Sequence, residues 1–314
     1  MLSILNATAP FFALIACGYA ASRLRLLPEN AIPALNTFVL YFALPCMMFR
    51  FTLETPFAQI FNAHVFFAYM VAGLATLGIF VLSYRFASRG SLHDGAYPGL
   101  AVAWSNWGYM GFALIPAFLG KDALPIIVAG GMADLFIVLS AGLALAGAGA
   151  GGTGPRAILR GAALRVVTNP MIWAVIAGAV GSALDWRLPT APDQLVRLLG
   201  SAAVPVALFA IGVSLYRPGV PVLRADVMMI TGGKLLLHPY IVGIVAIYLF
   251  GLSRAETNVL VLMAALPVAG SVFLFAERAG SNPEAISGSI LVSTALAFVS
   301  FSALCWAMGV QMGG

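Results

Sequence analysis

The chain has 314 residues, 61% of them hydrophobic and only 9% charged, and its mean hydropathy is +1.00. A soluble domain carries about 25% charged residues, so water cannot be the main solvent of this surface, whereas a lipid bilayer fits it. The net charge of +5 is spread through the chain rather than gathered on one stretch, which excludes a nucleic-acid-binding patch.

The first apolar run, 3–22, has no basic segment ahead of it and no cleavage pattern behind it, so it reads as a membrane span rather than a signal peptide. Further runs follow at 32–52, 63–85, 95–119 and 123–147, then at 167–185, 195–215, 225–251, 257–279 and 285–310. Each is solidly apolar and about 20 residues long, the length an α-helix needs to cross a bilayer core. Barrel strands are ~10 residues of alternating character. The chain therefore reads as an all-α polytopic membrane protein of about ten transmembrane helices.

Between runs five and six lies Gly147-Ala-Gly-Ala-Gly-Gly-Thr-Gly-Pro155, the one linker-like stretch. It divides the chain into a first five-helix repeat (1–147), a linker (148–166) and a second five-helix repeat (167–314). Ten of the sixteen Lys and Arg residues follow odd-numbered runs, five follow even-numbered runs, and Lys234 lies inside run eight. The positive-inside rule then places the linker in the cytoplasm and both termini outside a cell inner membrane.

The halves resemble each other. Run two carries Ala43-Leu-Pro-Cys46 and run seven Ala203-Val-Pro-Val206; run four carries Trp104-Ser-Asn-Trp-Gly-Tyr-Met-Gly111 and run nine Ala265-Leu-Pro-Val-Ala-Gly270. Five spans per half is an odd number, so the second repeat is inverted in the membrane, as in many secondary transporters. Glycine and proline weaken helices, and unwound backbone at membrane depth survives only inside protein or beside a water-filled cavity. Helices four and nine are thus expected to break and cross near the midplane. Half-helix N-termini meeting there would hold a carboxylate, with Ser105, Asn106, Gly108 and Gly111 from one break and Pro267, Val268 and Gly270 from the other. Pro45 and Pro205 read either as plain kinks or as gating flexures. Trp104, Trp107 and Tyr109 either line the pocket or pack against neighbours.

Ionisable residues inside spans are costly and mark function. Asp134 lies in the middle of run five; Lys234 and His238 lie four apart on run eight and share one helix face. Asp134 with a basic partner forms either a proton- or substrate-linked coupling or gating switch, or a static pair that fixes packing. Lys234 alternatively sits near a boundary and snorkels. Arg50, Glu54, Glu277 and Arg278 fall near span ends, and His64 and His93 fall in loops or interfaces.

The cysteines Cys17, Cys46 and Cys305 lie in apolar runs without CxxC or Cys/His spacing, so no metal or cofactor is expected. An aspartyl intramembrane protease needs two carboxylates at membrane depth, and the three histidines cannot form an HExxH cluster, so no enzyme is expected. The alternative to a carrier is a channel or ligand sensor, for which no filter-like repeat or charged ring is visible.

The linker, the Asn-containing break, the Leu266-Pro-Val-Ala-Gly270 break and the Asn36-Thr-Phe-Val-Leu-Tyr-Phe-Ala-Leu-Pro45 stretch resemble the auxin efflux carrier family, which includes bacterial malonate-type carriers and plant auxin exporters. The similarity runs from Leu2 to about Met308. It implies a scaffold of spans one, two, six and seven, a transport domain from the others, and Asn106 and the Pro267 region touching substrate at the crossover. It also implies a small organic anion as substrate and a homodimer in the bilayer. The residues leave uniport, symport and antiport open, with a proton, carried by Asp134, or sodium as the candidate companion ion. Run four departs from the pattern by having no proline at its break, so Gly108 and Gly111 are expected to supply the flexibility there.

Overall fold

The computed structural model describes residues 2–28, 31–55, 62–88, 91, 93–148, 168, 170–216 and 223–309. The linker lies outside them except for its first residue, as do Arg89, Arg156, Arg160, Arg165 and Arg217 of the topology argument. The described part of each apolar run is mostly helical, runs 95–119 and 257–279 with an interruption, and no β-strand occurs among the described residues. In chain order the helices are α1 (Leu2–Arg23), α2 (Ala31–Glu54) and α3 (Ala63–Ser88), α4 (Ala96–Ala103), and α5 (Trp107–Leu119) and α6 (Ala123–Gly147). Then come α7 (Pro170–Ala183), α8 (Thr190–Leu215) and α9 (Ala225–Leu249), α10 (Arg254–Ala264), α11 (Ser271–Arg278) and α12 (Pro283–Ala307). Among the described residues, six of these, α2, α3, α6, α8, α9 and α12, are long and apolar enough to cross a membrane.

The helix ends follow local chemistry. Gly120 (φ 80°) and Gly251 (φ 58°) turn the chain out of α5 and α9 in a region that L side chains disfavour. Ser253 and Glu256 form a reciprocal capping box at the start of α10. Within the apolar helices, hydroxyls bond back to the carbonyl one turn earlier, as Thr76 does to Ala72 and Thr294 to Ile290. Several helices also widen into single π turns, at Val39–Ala43, Trp107–Gly111, Asp134–Val138, Gly233–Leu237 and Val245–Leu249. Such turns frequently mark functional positions.

The helices gather into two compact units that interleave the sequence halves. Of the described residues, those within 1–8, 63–162 and 218–314 form the larger; those within 9–62 and 163–217 form the smaller, which holds span one from Ala9 on and spans two, six and seven. Lipid tails are as apolar as leucine, so membrane helices associate through close packing and internal hydrogen bonds rather than through hiding apolar surface from water. In the smaller unit, α1 and α8 meet through reciprocal glycines: a Cβ on Gly18 would strike the Phe209 carbonyl oxygen, and one on Gly212 the Ile15 carbonyl oxygen. In the larger unit, Leu77, Phe80, Leu100, Val102, Val272 and Ile286 belong to one buried cluster shared by α3, α4, α9, α11 and α12.

Candidate functional site

Two helices of the larger unit are interrupted, and the interruptions bond to each other. α4 ends at Ala103, Trp104 is extended (φ −105°, ψ 115°), Asn106 is non-helical (φ −78°, ψ 48°), and α5 starts at Trp107. α10 ends at Ala264 and α11 starts at Ser271. Ser105 and Val268 form an isolated antiparallel bridge. The Asn106 N–H donates to the Pro267 carbonyl at 3.0 Å and the Ala269 N–H to the Trp104 carbonyl at 3.4 Å. The Val268 N–H donates to Ser293 Oγ of α12 at 3.2 Å, and Ser105 Oγ donates to the Ala264 carbonyl at 3.5 Å. Backbone groups released from two helices thus satisfy one another, which is what unwinding in a nonpolar medium demands.

The break in run four therefore falls at Trp104–Asn106, not at the glycines. Gly108 lies inside the π turn that opens α5, and open space surrounds the position of its missing Cβ. Gly111 serves close approach: a Cβ there would lie 3.2 Å from Trp107 Cβ and 3.4 Å from Leu266 Cδ1, a side chain of the other break. Gly270, at the edge of the second break, is exposed with nothing near its Cβ position. Of the aromatic candidates, Trp104 is buried and stacks on Phe275 at 6.2 Å, while Trp107 lies over Gly131.

Beside the breaks sits a fully buried charged cluster. Lys234, His238 and Asp134 each have zero exposure. Lys234 Nζ donates to Ser105 Oγ at 2.5 Å and to the Val102 carbonyl at 3.3 Å, and lies 2.9 Å from His238 Nδ1. With Nδ1 accepting from the ammonium, a neutral His238 carries its proton on Nε2. Asp134 is close enough for its charge to interact with Lys234, and the Ser105 backbone N–H acts on it as well. That contact falls short of hydrogen-bond geometry, and neither carboxylate oxygen has a hydrogen-bond partner. No direct ion pair joins Asp134 to Lys234 among the described residues. Lys234 does not snorkel; it is turned inward onto the first break.

Tyr69 of α3 was not singled out by sequence, yet it belongs here. It is fully buried, its ring lies 6.0 Å from that of His238, and its hydroxyl is near Ser105 and Asp134. An aromatic residue in the middle of an apolar run is the only sequence signal it leaves. Ser293, which receives the Val268 N–H, leaves even less. Pro45 and Pro205 belong to the smaller unit, half-buried and exposed respectively, and are not part of this cluster. Arg50 and Glu54 pair with each other at 2.6 Å, and Arg50 also lies 3.5 Å from Asp193, in the smaller unit.

The profile of the membrane transport protein family matches residues 3–305. The chain belongs to that family. It is 29% identical over 98% of its length, and 96% of the relative's, to a Rhizobium meliloti (strain 1021) protein whose name proposes malonate transport. It is 26% identical to an uncharacterized transporter of Methanothermobacter thermautotrophicus, over 91% of this chain and 92% of the other. It is 22% identical, over 94% of both chains, to auxin efflux carrier component 8 of Arabidopsis thaliana. The likeness to auxin efflux carriers read from the motifs thus extends along nearly the whole sequence. With its apolar helices, this membership makes the chain a multi-pass membrane transporter.

Proposed function

We propose that this family member is a secondary carrier of small organic anions, malonate-like dicarboxylates or other carboxylates, working by alternating access in a cell inner membrane. The observation that carries the reading is the backbone bridge between the two breaks, Ser105 with Val268. Each break opens on the N-terminal end of a new helix, α5 or α11, whose partial positive charge suits a carboxylate. The amide of Asn106 and the open ground before Gly108 and Gly270 supply a polar contact and room. In this reading the paired breaks are the crossing of helices four and nine in a ten-span, inverted-repeat carrier with an outside N- and C-terminus. The larger unit moves substrate, the smaller one is the scaffold and homodimer platform, and Asp134, Lys234 and His238 form the coupling or gating cluster. The name of the Rhizobium relative supports malonate as the first substrate to try.

The test is uptake of radiolabelled malonate into liposomes holding the purified protein, with Asn106→Ala beside the wild type. Saturable uptake that shows counterflow and falls at least tenfold in the variant is the expected result. Linear, non-saturable flux would favour a channel instead. Uptake that survives the substitution would place the substrate away from the paired breaks.

A further inference from the structure

We propose that the acceptors around Lys234 constitute a monovalent-cation site, and that the ammonium of Lys234 fills it as a tethered ion in place of a dissociable one. An ammonium has three N–H donors and no acceptor. Three acceptors of three kinds surround this one: the Ser105 hydroxyl, the His238 Nδ1 and the Val102 carbonyl. Val102 stands in the last turn of α4, where carbonyls lose their intrahelical partners and the helix carries partial negative charge. In carriers with broken helices, such C-terminal ends and unwound carbonyls are where small cations are held. Asp134 contributes the compensating negative charge, buried and unpartnered. A lysine at this place supplies a tethered cation and hydrogen-bonds directly to the residue that bridges to the second break.

This arrangement has a consequence that does not depend on which anion is carried. The wild-type protein has its cation built in and should gain nothing from an added one. Truncating the lysine side chain while leaving the acceptors and Asp134 in place should vacate the site for a small cation. Ammonium is the best probe, because it reproduces the donors; sodium tests a bare ion, and choline, too large to enter, is the reference.

The experiment is thermal unfolding of the purified full chain in detergent, at constant ionic strength and pH, in ammonium, sodium or choline chloride. For the wild type, equal midpoints in all three are expected. For Lys234→Ala, the midpoint should rise saturably in ammonium or sodium over choline, by roughly 2–4 °C at a large excess over the dissociation constant. Lys234→Met, which fills the space without charge, should show no such rise. A saturable, cation-specific rise in the wild type would overturn the proposal. So would a Lys234→Ala protein that folds and unfolds identically in the three salts. If Lys234→Ala does not fold in choline, its recovery by ammonium or sodium counts for the site, and failure in all three salts counts against it. The readout is binding, so an absence of malonate uptake would leave the inference standing and bear only on the proposed substrate.

Discussion

In the smaller unit most glycines at helix contacts meet backbone, Gly181 against the Leu53 and Trp186 side chains being the exception; in the larger unit most of them meet side chains. Gly18, Gly178, Gly200 and Gly212 of the smaller unit stand against main-chain atoms of Phe209, Phe49, Met47 and Ile15. In the larger unit Gly73 meets Val138, Gly130 meets Met263 and Gly233 meets Phe80. Polar content divides in the same way. Of the fifteen buried polar or charged side chains among the described residues, only Thr52 lies in the smaller unit. One unit is held by close backbone packing and buries no charge among the described residues. The other buries a lysine, a histidine and an aspartate and interrupts two helices to reach them. Buried charge and broken helix are costly in a membrane, so their confinement to one unit separates the chemistry from the packing.

The comparison is broken most directly at the glycines. Gly212→Ala drives a methyl into the Ile15 carbonyl, and neither backbone can yield without moving a helix. It should cost up to about 3 kcal/mol, seen as a lowered unfolding midpoint in detergent. Gly130→Ala meets only the flexible end of Met263, at 3.1 Å from Sδ, and the Leu260 side chain, so its cost should stay below about 1 kcal/mol. Equal losses at both positions would erase the distinction between the units.

A second pair of substitutions probes the polar contrast. Ser105→Ala takes an acceptor from the buried Lys234 ammonium and a donor from the Ala264 carbonyl. Bonds to charged groups are worth about 1.5–3 kcal/mol, and a loss of that size is expected. Thr52→Val in the smaller unit removes only a bond to the Met48 carbonyl of its own helix, and should change stability by no more than about 0.5 kcal/mol. If Thr52→Val cost as much as Ser105→Ala, the polar cluster would hold no special place.

These residues also show how far the sequence could be read. The apolar runs announced helices because lipid leaves the backbone little choice. Pro267 and Gly270 announced the second break because each weakens a helix by itself. Lys234 and His238 announced a shared face through their spacing of four. The first break was legible only to within Trp104–Gly111, not in its exact place. It is set by bonds to residues about 160 positions away, from Asn106 to Pro267 and from Ala269 to Trp104, and not by Gly108 or Gly111. Nor does any local pattern reveal that Lys234 reaches Ser105 across 129 residues, or that Tyr69 joins them. The linker divides the sequence into two repeats; the compact units are a different division that draws on both of them, and only the family resemblance implied that grouping.

Smaller effects are expected where the larger unit's polar groups meet water. Asn282 adopts a left-handed conformation (φ 46°) ahead of α12, and its side-chain amide donates to Asp226 at 3.1 Å, beside the Arg224–Asp226 pair at 2.6 Å. Asn282→Ala should cost about 1–2 kcal/mol, from backbone strain and the lost bond together. Asn282→Gly should recover the strain part alone, since glycine accepts this conformation freely. A full recovery would mean that the bond to Asp226 contributes nothing.

The smallest effect concerns the turn before α4. Asp94 Oδ2 accepts from the Ser91 N–H at 2.7 Å and from the Ser91 hydroxyl at 2.9 Å, while the Asp94 N–H returns a bond to Ser91 Oγ at 3.3 Å. The Ser91 N–H, and after it the hydroxyl, hold the Asp94 carboxyl below its ordinary value. A carboxyl held below its unfolded value stabilises the fold above the unfolded pKa of about 3.9. That stabilisation is lost as the pH falls through the lower, folded value. Asp94→Asn should therefore cost about 0.5–1 kcal/mol at pH 7, the range of an exposed cap. The gap to wild type should close as the pH drops below 4, followed by unfolding midpoints across a pH series. A gap that stays constant with pH would mean that the turn is held by shape rather than by the carboxylate. In that case polar contacts at the water-facing end of this unit would do no more for stability than packing does, and the contrast between its surface and its buried cluster would widen.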